Sequence, residues 1–310
     1  MPHTMLVNMW NHNIIGQRSL EDVVGIFGHQ LRTLGHTIAW ETNNERFLGP
    51  GQGINVIVEG FFPYHVPIIK EAYDRGARFL MLATEEPTDK GFNHGTQAEM
   101  VERQNTFPEA AKYFDGILHL VPGDNVTRWY NQFAPAAPIE LGYAPSLVRS
   151  SNIVPDYEFG FYGSVTPRRL KIMKKLANKI NSQKAIKVVA DFKTQIERDE
   201  QMQRAKVILQ IRKFDEMGLV SSSRCNTALC IGRPVVAEPH LLSHPWDEVV
   251  SFASTMDDFF SKAILAKAMW KGVHADQMDK FKKRFSPEIC VGKALAQIGM
   301  TDDSVQRKAA

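Results

Sequence analysis

The stretch EFGFYGSVTPRR, residues 158–169, decides how the chain is read. An apolar run stops at Gly163, a short Ser/Thr/Pro turn follows, and Arg168 and Arg169 come next. After them LKIMKKLANKI places Leu170, Met173, Leu176 or Ala177, and Ile180 at helical spacing, with lysines on the opposite face. A strand, a glycine turn and a helix start rich in positive charge together make an anion site. The first turn of a helix has unsatisfied N–H groups, and its dipole end is positive.

Outward from this stretch, the pattern is of strands alternating with helices. MLVNMW (5–10) predicts a buried strand, and SLEDVVGIFGHQLRTLG (19–35) a helix with a Ser cap at its start and Gly35 at its end. HTIAWE, INVIVEG, ARFLMLAT and DGILHL predict further strands, with helices at 65–75, about 97–113 and about 124–133. A Pro- and Ser-containing stretch near 142–157 predicts a linker. The alternation then restarts: EFGFYG, a helix at 167–181, AIKVVAD, a helix at 194–204, AKVILQI, a helix at 221–231, RPVVAE, EVVSFA and closing helices. Alternation of this kind predicts parallel sheets covered on both faces, in two α/β halves with a cleft between them.

Composition narrows the function. The 310 residues are 44% hydrophobic and 23% charged, with a net charge of +3, so a soluble globular protein is expected and nucleic acid is not an expected partner. Cys225, Cys230 and Cys290 form no disulfide framework and are expected to be reduced. The first residues lack the basic start and apolar core of a signal peptide, and no apolar run approaches a bilayer span. A cytoplasmic enzyme or binding protein is expected.

A second anion element lies further on. AKVILQI (205–211) leads through RKFDEMGLV to SSSRCNTALCIGRPVVAE, in which Ser221, Ser222, Ser223 and Arg224 open a helix. Serines at a helix start offer N–H groups and hydroxyls where the dipole is positive, and the two helix starts can converge on one pyrophosphate. FGFYGSVTPRR resembles the opening of the donor lobe in GT-B glycosyltransferases, and SSSRCNTALCIGRPVVAE is similar to their "EALa-G-PvV" segment. WNHNIIGQRSLEDVVGIFGHQLRTLGHTI resembles the glycine loop, helix and "L---GH-V" strand entry of the acceptor lobe. The resemblance implies two Rossmann-like lobes: an acceptor-side lobe at 1–145, a nucleotide-sugar donor lobe at 156–285, and a helix and tail at 286–310 packing back towards the first lobe. It further implies transfer of a sugar from a nucleotide-sugar co-substrate to an acceptor, with no metal and no other cofactor. The diphosphate would lie on Gly163, Ser164, Arg168 or Arg169, and Ser221–Arg224.

The sequence departs from that family where a Glu holds the donor ribose. Thr227 stands there, and Leu219 replaces the partner Glu eight residues earlier. Glu216 or Glu238 could substitute, and a non-catalytic nucleotide- or sugar-binding module or a sugar-nucleotide epimerase are the alternatives. For catalysis, His12 in NHN (11–13) and Glu86 in TEEPTDK (84–90) follow strand ends and are candidate bases, with Glu85 beside the latter. In an inverting reaction one of them would deprotonate the acceptor. In a retaining one the leaving phosphate would take the proton. HLLSH (240–244) has metal-like spacing, but Pro239 and Pro245 argue against a helix there. GPGQG (49–53) precedes a strand and so fails as a dinucleotide fingerprint. Trp246 is a candidate stacking residue, whereas Trp40, Trp129, Met173, Phe259 and Phe260 are expected in the core.

Overall fold

The computed structural model describes residues 3–8, 14–41, 46–58, 62–94, 98–149, 152–182, 184–213, 215, 221–240 and 243–300. The chain divides into two compact units, one made of Met1–Gly142 with Phe285–Ala310 and the other of Tyr143–Arg284.

Among the described residues the first unit holds six strands: β1 (Thr4–Asn8), β2 (Thr37–Glu41), β3 (Ile54–Val58), β4 (Phe79–Ala83), β5 (Gly116–His119) and β6 (Ala136–Pro138). They form one sheet in the order β2-β1-β3-β4-β5-β6, and every pairing is parallel. Helices α1 (Ile14–Thr33), α2 (His65–Asp74), α3 (Ala98–Ala111) and α4 (Asp124–Tyr130) make crossovers. β3 and β4 are buried at every residue, which is why INVIV and FLMLA read as unbroken apolar runs without alternation. Ile57, Ile69, Phe79, Met81, Phe107, Ile117 and Tyr130 belong to one core cluster. α1 starts at Ile14, five residues before the expected Ser cap.

The second unit holds β7 (Tyr157–Tyr162), β8 (Ile186–Val189), β9 (Ala205–Gln210), β10 (Val235–Ala237) and β11 (Ser251–Phe252), in the order β11-β10-β9-β7-β8, again all parallel. α5 (Pro167–Ile180), α6 (Gln195–Gln203) and α7 (Ser222–Cys230) cross over, and α8 (Met256–Ala268) and α9 (Trp270–Arg284) follow β11. Phe159, Phe161, Ile172, Met173, Leu176, Val207, Leu209 and Phe259 form its core. α5 is turned by one residue from the expected face. Leu170 is 40% exposed, and Arg169 at 2% shares the buried face with Ile172, Met173 and Leu176.

Both sheets are doubly wound. From β1 the chain goes to β2 on one side and then to β3 on the other, and from β7 it goes to β8 and then to β9. The crevice beyond the carboxyl ends of such a strand pair is where open α/β sheets hold ligands. β7 and β9, followed by α5 and α7, therefore put the two quoted helix starts at one switch point.

The chain leaves the first unit after Gly142 and re-enters it at Phe285. There a π-helical turn (Glu288–Gly292) and α10 (Lys293–Gln297) pack on its sheet. A Cβ on Gly142 would lie 2.4 Å from the carbonyl oxygen of Phe285, so both crossing points sit side by side. Among the described residues no helix is long and apolar enough to cross a membrane.

Candidate functional site

The strand β7 ends at Tyr162, and Gly163 turns the chain with φ +124°, a backbone conformation that favours glycine. Its N–H donates to the carbonyl of Val189 at 3.1 Å, which ties the turn to β8. Thr166 then caps α5, its hydroxyl accepting from the Arg169 N–H at 3.3 Å, and Pro167 fills the first helical position. The cap directs Arg169 inward beneath the end of β9. Its Nε donates to the carbonyls of Ile211 and Arg212 at 3.0 and 3.2 Å, and its Nη1 to Ser164 O and Oγ at 2.7 and 3.2 Å. The guanidinium lies 5.0 Å from the Phe161 ring centroid. Carbonyls and a hydroxyl hold this cation, and no carboxylate pairs with it. Burial and then the charge of Arg224 pull it down to about 10.

Arg168 is held differently. Its Nη1 and Nη2 donate to the two carboxylate oxygens of Glu238 at 2.9 and 2.7 Å, its Nη1 also to Arg212 O at 3.1 Å, and its Nε to Asp215. Glu238, just past β10 and 2% exposed, also accepts from the Arg212 N–H and lies 3.5 Å from Arg212 Nε. The Glu238 bond is the main reason Arg168 is held above its ordinary value. Glu238 is thus committed to two arginines, and Glu216 lies outside the described residues.

Arg224 stands in the first turn of α7. Its Nη1 is buried with no hydrogen-bond partner, and burial lowers the pKa of the guanidinium. Ser221 is the N-cap residue but supplies no side-chain cap bond, its Oγ lying 3.2 Å from the Oγ of Ser223. Ser222 and Ser223 are half-buried in the same turn. Thr227 is 8% exposed one turn further along α7. Four guanidinium groups, Arg168, Arg169, Arg212 and Arg224, thus meet two carboxylates, Glu238 and exposed Asp215, in one electrostatic neighbourhood. The surplus is positive and rests on Arg169 and Arg224. An arrangement of this kind among the described residues attracts an anion. The sequence pointed to Arg168 and Arg169 equally, and it missed Arg212; the signal for Arg212 was its place one residue past an apolar strand end.

In the first unit, Glu85 and Glu86 lie just beyond β4. Glu85 is 7% exposed and forms a bidentate pair with Arg103, at 2.9 and 2.6 Å. Burial pushes its carboxyl up against the pull of Arg103. Glu86 is half-buried, with its N–H donating to Asn93 Oδ1 at 2.9 Å and its carbonyl accepting from the Asn93 N–H at 2.7 Å. His12 lies outside the described residues.

The HLLSH segment is not a helix in its described part. His240 Nε2 bonds Asp247 Oδ1 at 2.7 Å, and His244 caps a 3-10 turn (Pro245–Glu248) by accepting from the Trp246 N–H at 3.2 Å. Among the described residues no three His, Cys, Asp or Glu side chains gather as a metal site. Trp246 corrects an expectation. It is fully buried, with its ring 5.0 Å from that of Phe281, and so offers no face to a base or sugar.

No family profile and no curated protein sequence matches the chain. Solved structures share its fold. The S. aureus TarM structure with fondaparinux, alpha-GlcNAc-glycerol and UDP is similar at a TM-score of 0.52 and 12% identity, over 79% of this chain and 55% of that one. The chain thus spans about half the length of that protein. The N-terminal domain of Candida albicans trehalose-6-phosphate phosphatase is similar at 0.53 and 8% identity, over 94% and 97% of the two chains. The glycotransferase of kitacinnamycin covers 96% of this chain and 100% of its own at a TM-score of 0.46 and 8% identity. The fold is that of two Rossmann-like, GT-B-type units.

Proposed function

We propose that the chain is a glycosyltransferase that moves a sugar from a nucleotide-sugar donor to an acceptor, holding the donor diphosphate at the switch point of the second unit. The observation that carries this reading is Arg224, a cation in the first turn of α7 whose Nη1 is buried without a partner. Arg169, without a carboxylate of its own, stands within its electrostatic reach. In the reaction the bond from the sugar's anomeric carbon to the phosphate oxygen breaks, and its electron pair leaves with the nucleoside diphosphate. An acceptor oxygen forms the new bond, and its proton passes to His12 or Glu86, or to the leaving phosphate. Charge builds on the phosphate oxygens, where fixed donors and a helix dipole stabilise it most. Arg169, Arg224 and the N–H groups of Ser222 and Ser223 supply that role without a divalent ion. Thr227 offers the ribose one hydroxyl in place of a carboxylate, and Gly163 and Ser164 line the turn beside the phosphates.

Support comes also from the TarM likeness, since that structure holds UDP and alpha-GlcNAc-glycerol. The test is incubation with a panel of nucleotide sugars, following release of nucleoside diphosphate with and without a chelator. Release that persists with chelator is expected. A chain that binds none of the nucleoside diphosphates overturns the reading. Binding without any turnover would make it a recognition module.

A further inference from the structure

We infer that the outer face of α5 and α8 docks on an anionic lipid surface. Both helices cover one face of the second sheet, since Met173 and Leu176 of α5 and Phe259 and Phe260 of α8 join one core cluster with Phe161 of β7. Lys179 Nζ, at the end of α5, lies 5.5 Å from the Phe260 ring centroid. The buried stripe of a helix fixes which residues point away from it. On α5 these are Pro167, Lys171, Lys174 and Asn178, flanked by exposed Leu170 and Lys175. On α8 they are Ser261, Leu265 and Ala268, with Ile264 and Met269 beside them. Leu265 is 61% and Met269 59% exposed. A row of lysines on one helix thus neighbours bare apolar side chains on the next.

The lysines are not an ordinary solvated face. α5 holds six cations in fourteen residues and no acid. Lys262, Lys280 and Lys283 of α8 and α9 each pair with an aspartate four residues earlier. Among the described residues no ion pair occupies Lys171, Lys174, Lys175 or Lys179. Asp215 faces Arg168 and Lys171 at the start of α5, but Lys174, Lys175 and Lys179 stand about 9 to 17 Å further along the helix than Arg168. On α8, Asp258 is bound to Lys262, and exposed Asp257 is the other acid. Arginine, whose fork suits one fixed carboxylate or phosphate, is missing from the outer face, because Arg168 and Arg169 are held by Glu238 and by strand-end carbonyls. Lysines give mobile point charges, which suit a diffuse sheet of phosphates. An acidic surface alone engages only the lysines. A bilayer interface takes both rows, with headgroups on the lysines and acyl chains against Leu265 and Met269.

The experiment is co-sedimentation of the full chain with vesicles of phosphatidylcholine, alone or with one third phosphatidylglycerol, at low and high salt. Binding is expected only with phosphatidylglycerol and should weaken as salt rises. Each lysine at an anionic membrane is worth about fivefold in affinity, so Lys174→Gln with Lys175→Gln and Lys179→Gln should weaken binding about a hundredfold. Leu265→Ser with Met269→Ser should weaken it about tenfold at either salt. All five side chains are exposed, so these changes leave the core intact. No binding to either vesicle, or equal binding to both, overturns the inference. So does binding that the lysine variant leaves unchanged. Serine variants that bind as well as the wild type, or polyglutamate held as tightly as the vesicles, point to an acidic protein instead and overturn it too.

Discussion

The carboxyl edges of the two sheets treat buried charge in opposite ways. Beyond β4, Arg103 and Glu85 meet through two bonds of 2.9 and 2.6 Å, and each side chain is 9% exposed. Beyond β7 and β9, Arg169 is held by carbonyls and the Ser164 hydroxyl, with no carboxylate, and Arg224 Nη1 by nothing. A cation matched by its carboxylate is part of the scaffold. A cation left unmatched at a switch point costs stability, and folding gives no reason for it. The difference separates a structural pair from the place that the proposed function assigns to an outside anion.

The largest test of this contrast is on the matched pair. Arg103→Met strands the Glu85 carboxylate in the core and should cost about 3–5 kcal/mol in denaturant unfolding. Adding Glu85→Gln should recover most of it, and nucleotide affinity of the folded protein should stay the same. If the single change costs under ~1 kcal/mol, the pair is not the scaffold element described.

Next comes pH. Burial lowers the His244 pKa to about 4 from an ordinary 6.5, so the unfolded chain binds its proton first as pH falls. Stability from this group is complete above pH 6.5 and is lost between 6.5 and about 4, by roughly 3 kcal/mol in all. His244→Asn keeps a capping acceptor and should flatten that part of the unfolding profile. An unchanged slope would show that His244 is not the group titrating.

Arg224→Met should weaken nucleoside diphosphate binding by about 1.5–3 kcal/mol, the worth of a charge-assisted bond, while leaving unfolding stability equal or higher. Loss of stability together with unchanged affinity would reverse the contrast. The smallest effects concern the two helix starts. Thr166→Ala should cost about 1 kcal/mol because its hydroxyl caps α5, whereas Ser221→Ala, whose hydroxyl caps nothing, should cost under ~0.5. Equal costs would mean that the start of α7 is capped in solution.

Much of the fold was legible because both sheets are parallel and buried, so strands appear as short apolar runs between helical periods. The finer faults have local causes. Leu170 was placed inward on hydrophobicity, but the inward position belongs to Arg169, whose polar head reaches strand-end carbonyls. Trp40 was expected in the core and is 44% exposed, lying over Gly28, where a Cβ would be 2.7 Å from its ring. At the site, sequence spacing brought Gly163, Arg168, Arg169 and Arg224 to the same strand ends. It offered Glu238 as a substitute for the ribose-binding Glu, and the carboxylate instead takes Arg168 and Arg212. Which arginine keeps a free charge depends on contacts across 70 residues of chain, and no local pattern encodes them.

The path of the chain through Gly142 and Phe285 has a consequence for synthesis. The second unit is an insertion whose two ends meet, so the first unit is begun early but finished last. Its closing pieces, Ile298 against Gly116 and Met300 against Arg78, leave the ribosome only after residues 143–284 have been made. At ordinary elongation speeds that interval is roughly 7 to 30 seconds. During it, the patch at Gly116 that Ile298 will cover is bare to solvent and to any chaperone that recognises apolar surface. A nascent chain stalled before Phe285 should therefore be held by chaperones through its first unit, even with its second unit already folded.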